Sequence, residues 1–270
     1  MILWLSDLHL NFCSKEAIQE FGRKIAAQNP DAVLISGDIA EYPTFDVTLF
    51  IMCEQYGLEK IPTYFVLGNH DCYKGSYFNA RGKAKHIKWA KYLTDHPGYI
   101  ELNKTQALIG HDGWYDGRCG NYSGSDVQLL DFFAIDELKY LDRWGRKAQF
   151  EDWADEAANN LKGRLVKAVE AGYPEIICVT HVPPSWESAW YRGHHQDINW
   201  APFFCNDIVL KTLRPVMEKH PEQNLIILCG HTHGAGFNRP IKNIEIHSQD
   251  SEYGDPKFVV LEDLLNDTKY

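Results

Sequence analysis

The sequence predicts an α/β protein built on parallel strand pairing, and three observations lead there. Short apolar runs alternate with helical apolar periodicity through the first seventy residues, giving the order β-α-β-α-β. That order calls for helical crossovers between parallel strands. The third observation is that apolar runs in both halves of the chain end abruptly in short polar segments carrying Asp, Asn or His.

The elements follow in order. Residues 1–5 form an apolar strand, and Ser14 is placed to cap a helix that reaches Gln28, with Ala17, Ile18, Phe21 and Ile25 on one face and Asn29-Pro30 ending it. Residues 32–35 form a second strand. Phe45, Leu49, Met52, Cys53 and Tyr56 mark a second amphipathic helix, with Gly57 as its C-terminal stop. Residues 63–67 form the third strand. Beyond it the pattern predicts a helix over 80–95, short strands at 99–102 and 106–109, and a Gly-, Asp- and aromatic-rich loop at 111–126. A clear helix spans about 150–169, with Trp153, Ala157, Leu161, Leu165 and Val169 inward, and a strand covers 175–179. An aromatic loop at 183–204 precedes a helix from about Asp207 that Pro215 is expected to kink. Strands at 225–229, 241–246 and 257–261 close the chain. With no internal repeat, low-complexity tract or linker, the organisation expected is one domain over 1–270 carrying loop insertions at about 111–126 and 183–204.

Composition narrows the function classes. An apolar content of 44% supplies a substantial core and argues against disorder. The net charge of -10 disfavours a nucleic-acid partner, because a protein that grips phosphate backbones shows a basic face. The seven cysteines are odd in number and form no CxxC pair, so reduced thiols and a cytoplasmic location are expected. The opening MILWL lacks the basic flank of a signal peptide. No run approaches the roughly 20 apolar residues of a membrane span, so no membrane partner is expected.

Five short motifs carry the chemistry: Asp7-x-His9, Gly37-Asp38, Gly68-Asn69-His70-Asp71, a lone His181, and Gly230-His231-Thr232-His233-Gly234. Residues two apart in an extended segment project to the same side, so Asp7 and His9 can reach one ion. Asp38 at the end of a buried strand needs a partner, Asn69 offers a neutral carbonyl, and His70 is a group able to donate a proton. Taken singly, each motif has an ordinary reading as a cap, a turn or a surface histidine. Together they place oxygen and imidazole donors at strand ends, which is what a site for two divalent ions requires.

In this fixed order the five blocks resemble those of the calcineurin-like metallophosphoesterases, and the resemblance runs from Asp7 to His233. It implies a four-layer α/β/β/α sandwich, two mixed β-sheets flanked by helices, with a dinuclear metal site at the strand-end loops. It implies Asp7, His9, Asp38 and His233 as ligands of the first metal and Asp38, Asn69, His181 and His231 as ligands of the second, Asp38 bridging. The N and O donors suit Mn, Fe, Zn, Ni or Co better than Ca. The activity implied is hydrolysis of a phosphodiester or small phosphorylated compound by in-line attack of a metal-bound hydroxide, with His70 polarising the substrate or protonating the leaving oxygen. The acid that orients this histidine in the family falls at Glu41.

Departures narrow the branch. Tyr42 stands where a Ser/Thr protein phosphatase carries a phosphate-binding arginine, which removes those enzymes. A nuclease of the same superfamily, and a catalytically silent metal-binding module on the same fold, are the alternatives. The metal motifs leave the two loops unexplained, and these are expected to select the substrate. His111, Arg118 and His195 are the residues proposed to contact it. The aromatic stretch from Trp186 to Phe204 suits stacking on a nucleotide-like substrate, and equally suits core packing or a subunit interface.

Overall fold

The computed structural model describes residues 1–58 and 60–267. Residue 59 and residues 268–270, which the expected domain over 1–270 includes, lie outside the described residues.

The first half follows the sequence closely. Strand β1 (Ile2–Leu5) leads to α1 (Lys15–Gln28), where Ser14 Oγ accepts from the Ala17 amide at 3.2 Å and Asn29 closes the helix in the left-handed region at φ 49°. Next come β2 (Ala32–Ser36), α2 (Phe45–Glu54) and β3 (Thr63–Val66).

The helix expected over 80–95 is instead α3 (Tyr77–Lys85) followed by a short strand, β4 (Lys91–Tyr92). Ser76 starts the helix early, its Oγ accepting from the Asn79 amide at 3.0 Å. Tyr92 is then claimed by the sheet, where its ring packs 5.3 Å from Phe65. Strands β5 (Ile100–Glu101) and β6 (Gln106–His111) precede a short α4 (Asp131–Ala134). Helix α5 (Arg143–Glu170) begins well before 150, because Asp142 Oδ1 accepts from the Gly145 amide at 2.7 Å.

Strand β7 (Glu175–Thr180) is followed by a hairpin inside the aromatic loop, β8 (Trp190–Tyr191) and β9 (His194–His195). Helix α6 (Asp207–Met217) absorbs Pro215 near its end. After β10 (Asn224–Cys229), the single strand expected at 241–246 proves to be the end of β11 (Gly236–Ile241), a two-residue turn and the start of β12 (Ile244–Ser248), which pair as a hairpin. Strand β13 (Val259–Val260) is shorter than expected, and Leu261 opens α7 (Leu261–Asp267).

Two mixed sheets result. One has the order β13-β1-β2-β3-β4, parallel except for β13, and the other the order β11-β12-β10-β7-β6-β5, with β11 and β5 antiparallel at its edges. Alternation along each strand divides the apolar residues between layers. Ile2 and Trp4 of β1 meet Ile177 and Val179 of β7 between the sheets. Leu3 and Leu5 face Ile18, Phe21, Leu49 and Met52 of α1 and α2. Ile176 and Cys178 face Leu161, Leu165, Val209 and Leu213 of α5 and α6. The architecture is the four-layer α/β/β/α sandwich.

The sulfurs of Cys119 and Cys205 lie side by side, each 3.2 Å from the Ala201 carbonyl, whereas Cys13, Cys53, Cys72, Cys178 and Cys229 are free thiols. The chain brings the 111–126 segment back against the residues preceding α6, where the Asp116 amide donates to the Cys205 carbonyl at 3.1 Å. No helix among the described residues is long and apolar enough to cross a membrane.

Candidate metal centre

The strand ends of both sheets converge on one edge of the sandwich. Asp7 and His9 follow β1, Asp38 follows β2, Asn69 follows β3, His181 follows β7, and His231 and His233 follow β10. Backbone bonds lace these loops together: the His9 amide donates to Asp38 O at 2.9 Å, and the Gly230 amide donates to His181 O at 2.8 Å. Asp71 joins two loops, accepting from the amides of Ala40 and Gly68 at 3.0 and 2.8 Å.

The turns that aim these side chains are strained. Asp7, His9, Asp38, His231 and His233 all have positive φ, between 42° and 69°, where only glycine sits without strain. Each such residue costs of order 1 kcal/mol or more, and strain of this kind collects at functional sites. Gly68 makes room in the same place. A Cβ there would run into Asp38 Oδ1 and lie 2.6 Å from His181 Cε1.

Two groups of donors form. In the first, Asp7, His9, Asp38 and His233 each offer a ligand atom, all within 4.8 Å of one another. His9 Nε2 lies 3.1 Å from His233 Nε2 and 3.7 Å from Asp38 Oδ2, and His233 Nε2 lies 3.5 Å from Asp7 Oδ1. In the second, Asn69 Oδ1 lies 3.1 Å from His181 Nε2 and 3.0 Å from His231 Nδ1, while Asp38 Oδ1 is 3.5 Å from His181 Nε2. The two oxygens of Asp38 thus face different groups.

Hydrogen bonds outside the second group fix what points into it. His181 Nδ1 donates to Ser36 O at 2.8 Å, and His231 Nε2 donates to Phe203 O at 2.9 Å. The remaining ring nitrogen of each is therefore an unprotonated acceptor when the ring is neutral. Asn69 Nδ2 donates to Asp131 Oδ1 at 2.9 Å, which turns Oδ1 inward. Two imidazole lone pairs, an amide oxygen and a carboxylate oxygen converge with no hydrogen to share among them. A cation satisfies that arrangement, and the mixed N and O set fits a divalent transition metal.

Ionisation agrees with this chemistry. Burial lowers the pKa of His9 to about 2, of His231 to about 4 and of His181 below its ordinary value, so the rings are neutral as ligation requires. Burial, then the carboxylates of Asp7 and Asp71, pushes Asp38 up. Burial pushes Asp7 the same way, but the imidazoles of His233, His181 and His9 outweigh it and leave Asp7 lowered. A pair of buried carboxylates held this close calls for positive charge.

The residues expected around the metals divide. His70 lies beside the centre, its amide donating to Asp38 Oδ1 at 2.9 Å and its ring stacked on Tyr73 at 4.2 Å. Burial, then the rings of His181 and His233, lowers its pKa to about 3. Glu41, expected to orient it, pairs its carboxylate with the exposed Lys74 ammonium.

His111 and Arg118, expected as substrate contacts, are not among the residues that line the cavity at the centre. His111 is fully buried, with Nε2 3.2 Å from the Arg81 guanidinium and 3.9 Å from Glu156, and Arg118 is held by Asp155 at 2.7 Å. Each has its chemistry taken up by a neighbour away from the metal loops. His195 does line the cavity that opens onto the centre, a space of about 740 Å³ walled by Tyr191, Trp200, Phe204 and Tyr253 as well as His70 and His233. The aromatic loop thus both packs and lines: Phe203 is buried, while Phe204 stacks on His231 at 4.8 Å from within the cavity wall.

Asp131 is the residue that sequence reasoning missed. Besides Asn69 it accepts from the Tyr73 and Tyr115 hydroxyls, the latter at 2.7 Å. It sits 62 residues from Asn69 in a segment with no local motif, so nothing short of the fold reveals it.

Solved structures share the architecture. A dimetal phosphatase from Danio rerio (LOC 393393) aligns over 94% of this chain and 88% of its own with a TM-score of 0.55 at 11% identity. The protein TT1561 of Thermus thermophilus aligns over 92% of this chain and 88% of its own with a TM-score of 0.52 at 14% identity. At these identities the likeness is one of fold. No curated protein matches the sequence. The family model of the calcineurin-like phosphoesterases, however, matches residues 1–235, a span that contains all five motifs and every strand-end loop of the centre. The chain belongs to the calcineurin-like phosphoesterase family, and it is a hydrolase of phosphoric esters.

Proposed function

We propose that the protein hydrolyses a phosphodiester or small phosphorylated compound at a two-metal centre, the first metal held by Asp7, His9, Asp38 and His233 and the second by Asp38, Asn69, His181 and His231. The observation that carries this reading is the convergence of oxygen and imidazole donors on two points that share Asp38. Two divalent ions there would activate a water and neutralise charge on the phosphoryl oxygens. The chain's part is to hold the donors rigidly, which the outward hydrogen bonds of His181, His231 and Asn69 accomplish.

His70 lies at the cavity wall, 4.0 Å from Asp38 Oδ2, placed to hydrogen-bond a phosphoryl or leaving oxygen. With Glu41 bonded to Lys74, the stacked ring of Tyr73 and the bond from the His70 amide to Asp38 hold this histidine in place. A small substrate is favoured over a polymer. The cavity is walled by aromatic rings, and among the described residues that line it Arg192 is the only arginine or lysine. A nucleic-acid groove needs more positive charge than that.

The test begins with metal content and a panel of phosphomonoesters, phosphodiesters, pyrophosphates and nucleic acids. The purified protein should hold close to two transition-metal ions per chain and cleave a small ester in preference to the polymers. Asp38→Ala should lose most of the metal. His70→Ala should keep the metal while turnover falls by roughly 10²–10⁴-fold. Activity that survives removal of both ions would refute the reading.

A further inference from the structure

The cavity has a cation that the metal chemistry does not use. Arg192 stands at the tip of the β8–β9 hairpin and lines the cavity, its guanidinium over the Tyr191 ring, and no carboxylate among the described residues forms an ion pair with it. The other polar groups on that wall are His194, His195, Gln196 and Asp197. Two divalent ions beside Asp7 and Asp38 leave surplus positive charge for the scissile phosphoryl group. The guanidinium is therefore available for something else.

The hairpin that carries Arg192 is seated, not loose. The Trp190 ring lies so close over Gly236 that a Cβ there would collide with Trp190 Cδ1, and Trp190 also packs on His195 at 4.2 Å. Gly234, in the loop that holds His231 and His233, lies against the Trp190 carbonyl as well, so the hairpin is registered against the metal ligands. Its turn is Arg192-Gly193, with φ of 48° and 78°. Two consecutive positive φ values make a turn that favours Asn-Gly, and a long side chain in the first place costs of order 1 kcal/mol. The turn sets the backbone of Arg192 at the cavity wall, and its guanidinium carbon lies 5.1 Å from the Tyr191 ring centre.

We propose that Arg192 is a specificity residue that binds a second phosphate of the substrate, so that the preferred substrates carry two phosphate groups, one at the metals and one at the hairpin. A guanidinium presents paired N–H donors that match phosphate oxygens, and a phosphate dianion is the strongest partner for it at a partly aromatic rim. This rests on the two-metal reading above and adds the substrate class.

The test compares inhibitors that differ by one phosphate. The assay is hydrolysis of bis(p-nitrophenyl) phosphate by the protein loaded with manganese, with adenosine 5′-monophosphate, adenosine 5′-diphosphate and adenosine 3′,5′-bisphosphate measured as competitors. Calorimetric titration of the same three compounds gives an activity-independent readout. In the natural protein at least one two-phosphate compound should bind about tenfold more tightly than the monophosphate, the scale of one charge-assisted contact.

In Arg192→Ala that ratio should fall to about one, with Arg192→Lys between. A merely structural role would weaken all three compounds together and leave the ratio intact, which would overturn the proposal. A ratio of one in the natural protein would overturn it equally. Failure to hydrolyse any phosphoester after metal loading would instead remove the two-metal reading, a result distinct from either of these.

Discussion

At the scale of single residues, coordination chemistry made the donors legible. A ligand must be a particular residue type at a strand end, so Asp7, His9, Asp38, Asn69, His181, His231 and His233 announced themselves in five motifs, and the fold brings all seven to one edge. Glu41 and Asp131 show where that legibility stops. Glu41 sits at the right spacing, but Lys74 captures its carboxylate, and Asp131 takes a part that no spacing encodes. If Asp131 orients Asn69, removing its acceptor oxygen should act on one metal more than the other. Asp131→Ala is expected to weaken the second metal 10–100-fold, the usual effect of losing a partner behind a ligand, and to leave the first within a few fold. Calorimetric titration of the metal-free protein with manganese separates the two sites. Equal weakening of both would mean that Asp131 serves the fold and not Asn69.

At the scale of elements, periodicity located the long helices and central strands, while short pieces depended on partners distant in sequence. Strand β4 exists because β3 offers an edge, and the β8–β9 hairpin because its tryptophan finds a glycine to lie on. The same dependence explains His111. It belongs to a clamp in which Arg81 of α3 meets Glu156 of α5 at 3.0 Å, His111 of β6 at 3.2 Å and Asp112 at 3.2 Å. The neighbouring His111 ring, 3.9 Å away, then the Arg81 charge, outweighs partial burial and lowers Glu156 from 4.5 to about 2. A carboxyl with a depressed folded-state pKa adds stability above its unfolded value and loses it as pH falls through the folded one. The clamp should therefore weaken between pH 4.5 and 2. Glu156→Gln cannot titrate, so its melting temperature should lie below that of the natural protein at pH 6 and the gap should narrow toward pH 2. Because the carboxylate is partly exposed, the gap is expected to be small. A gap independent of pH would show that the loss is one of packing.

At the scale of the whole molecule, the four layers serve to hold an arrangement that is unfavourable without cations. Five donor residues occupy strained backbone, two buried carboxylates lie side by side, and acceptors converge without hydrogens between them. Stability and function oppose one another here, and metal binding reconciles them. Ions that bind only the folded chain stabilise it by an amount that reaches about 4 kcal/mol at a thousandfold excess over the dissociation constant. For a chain of this size that corresponds to a rise in melting temperature of roughly 5–15 °C. Chelation should lower the transition by that amount, and manganese should restore it.

Asp38→Asn separates this account from a general effect of salt. The substitution keeps an oxygen to accept from the His70 amide but removes the charge that burial and Asp7 disfavour. In chelator the variant should therefore melt at or above the natural protein. With manganese it should melt below, because it has lost the one group that faces both donor sets. That reversal of order is the decisive measurement. If Asp38→Asn melts lower in both conditions, the buried carboxylate supports the apo fold, and the tension between site and scaffold is absent.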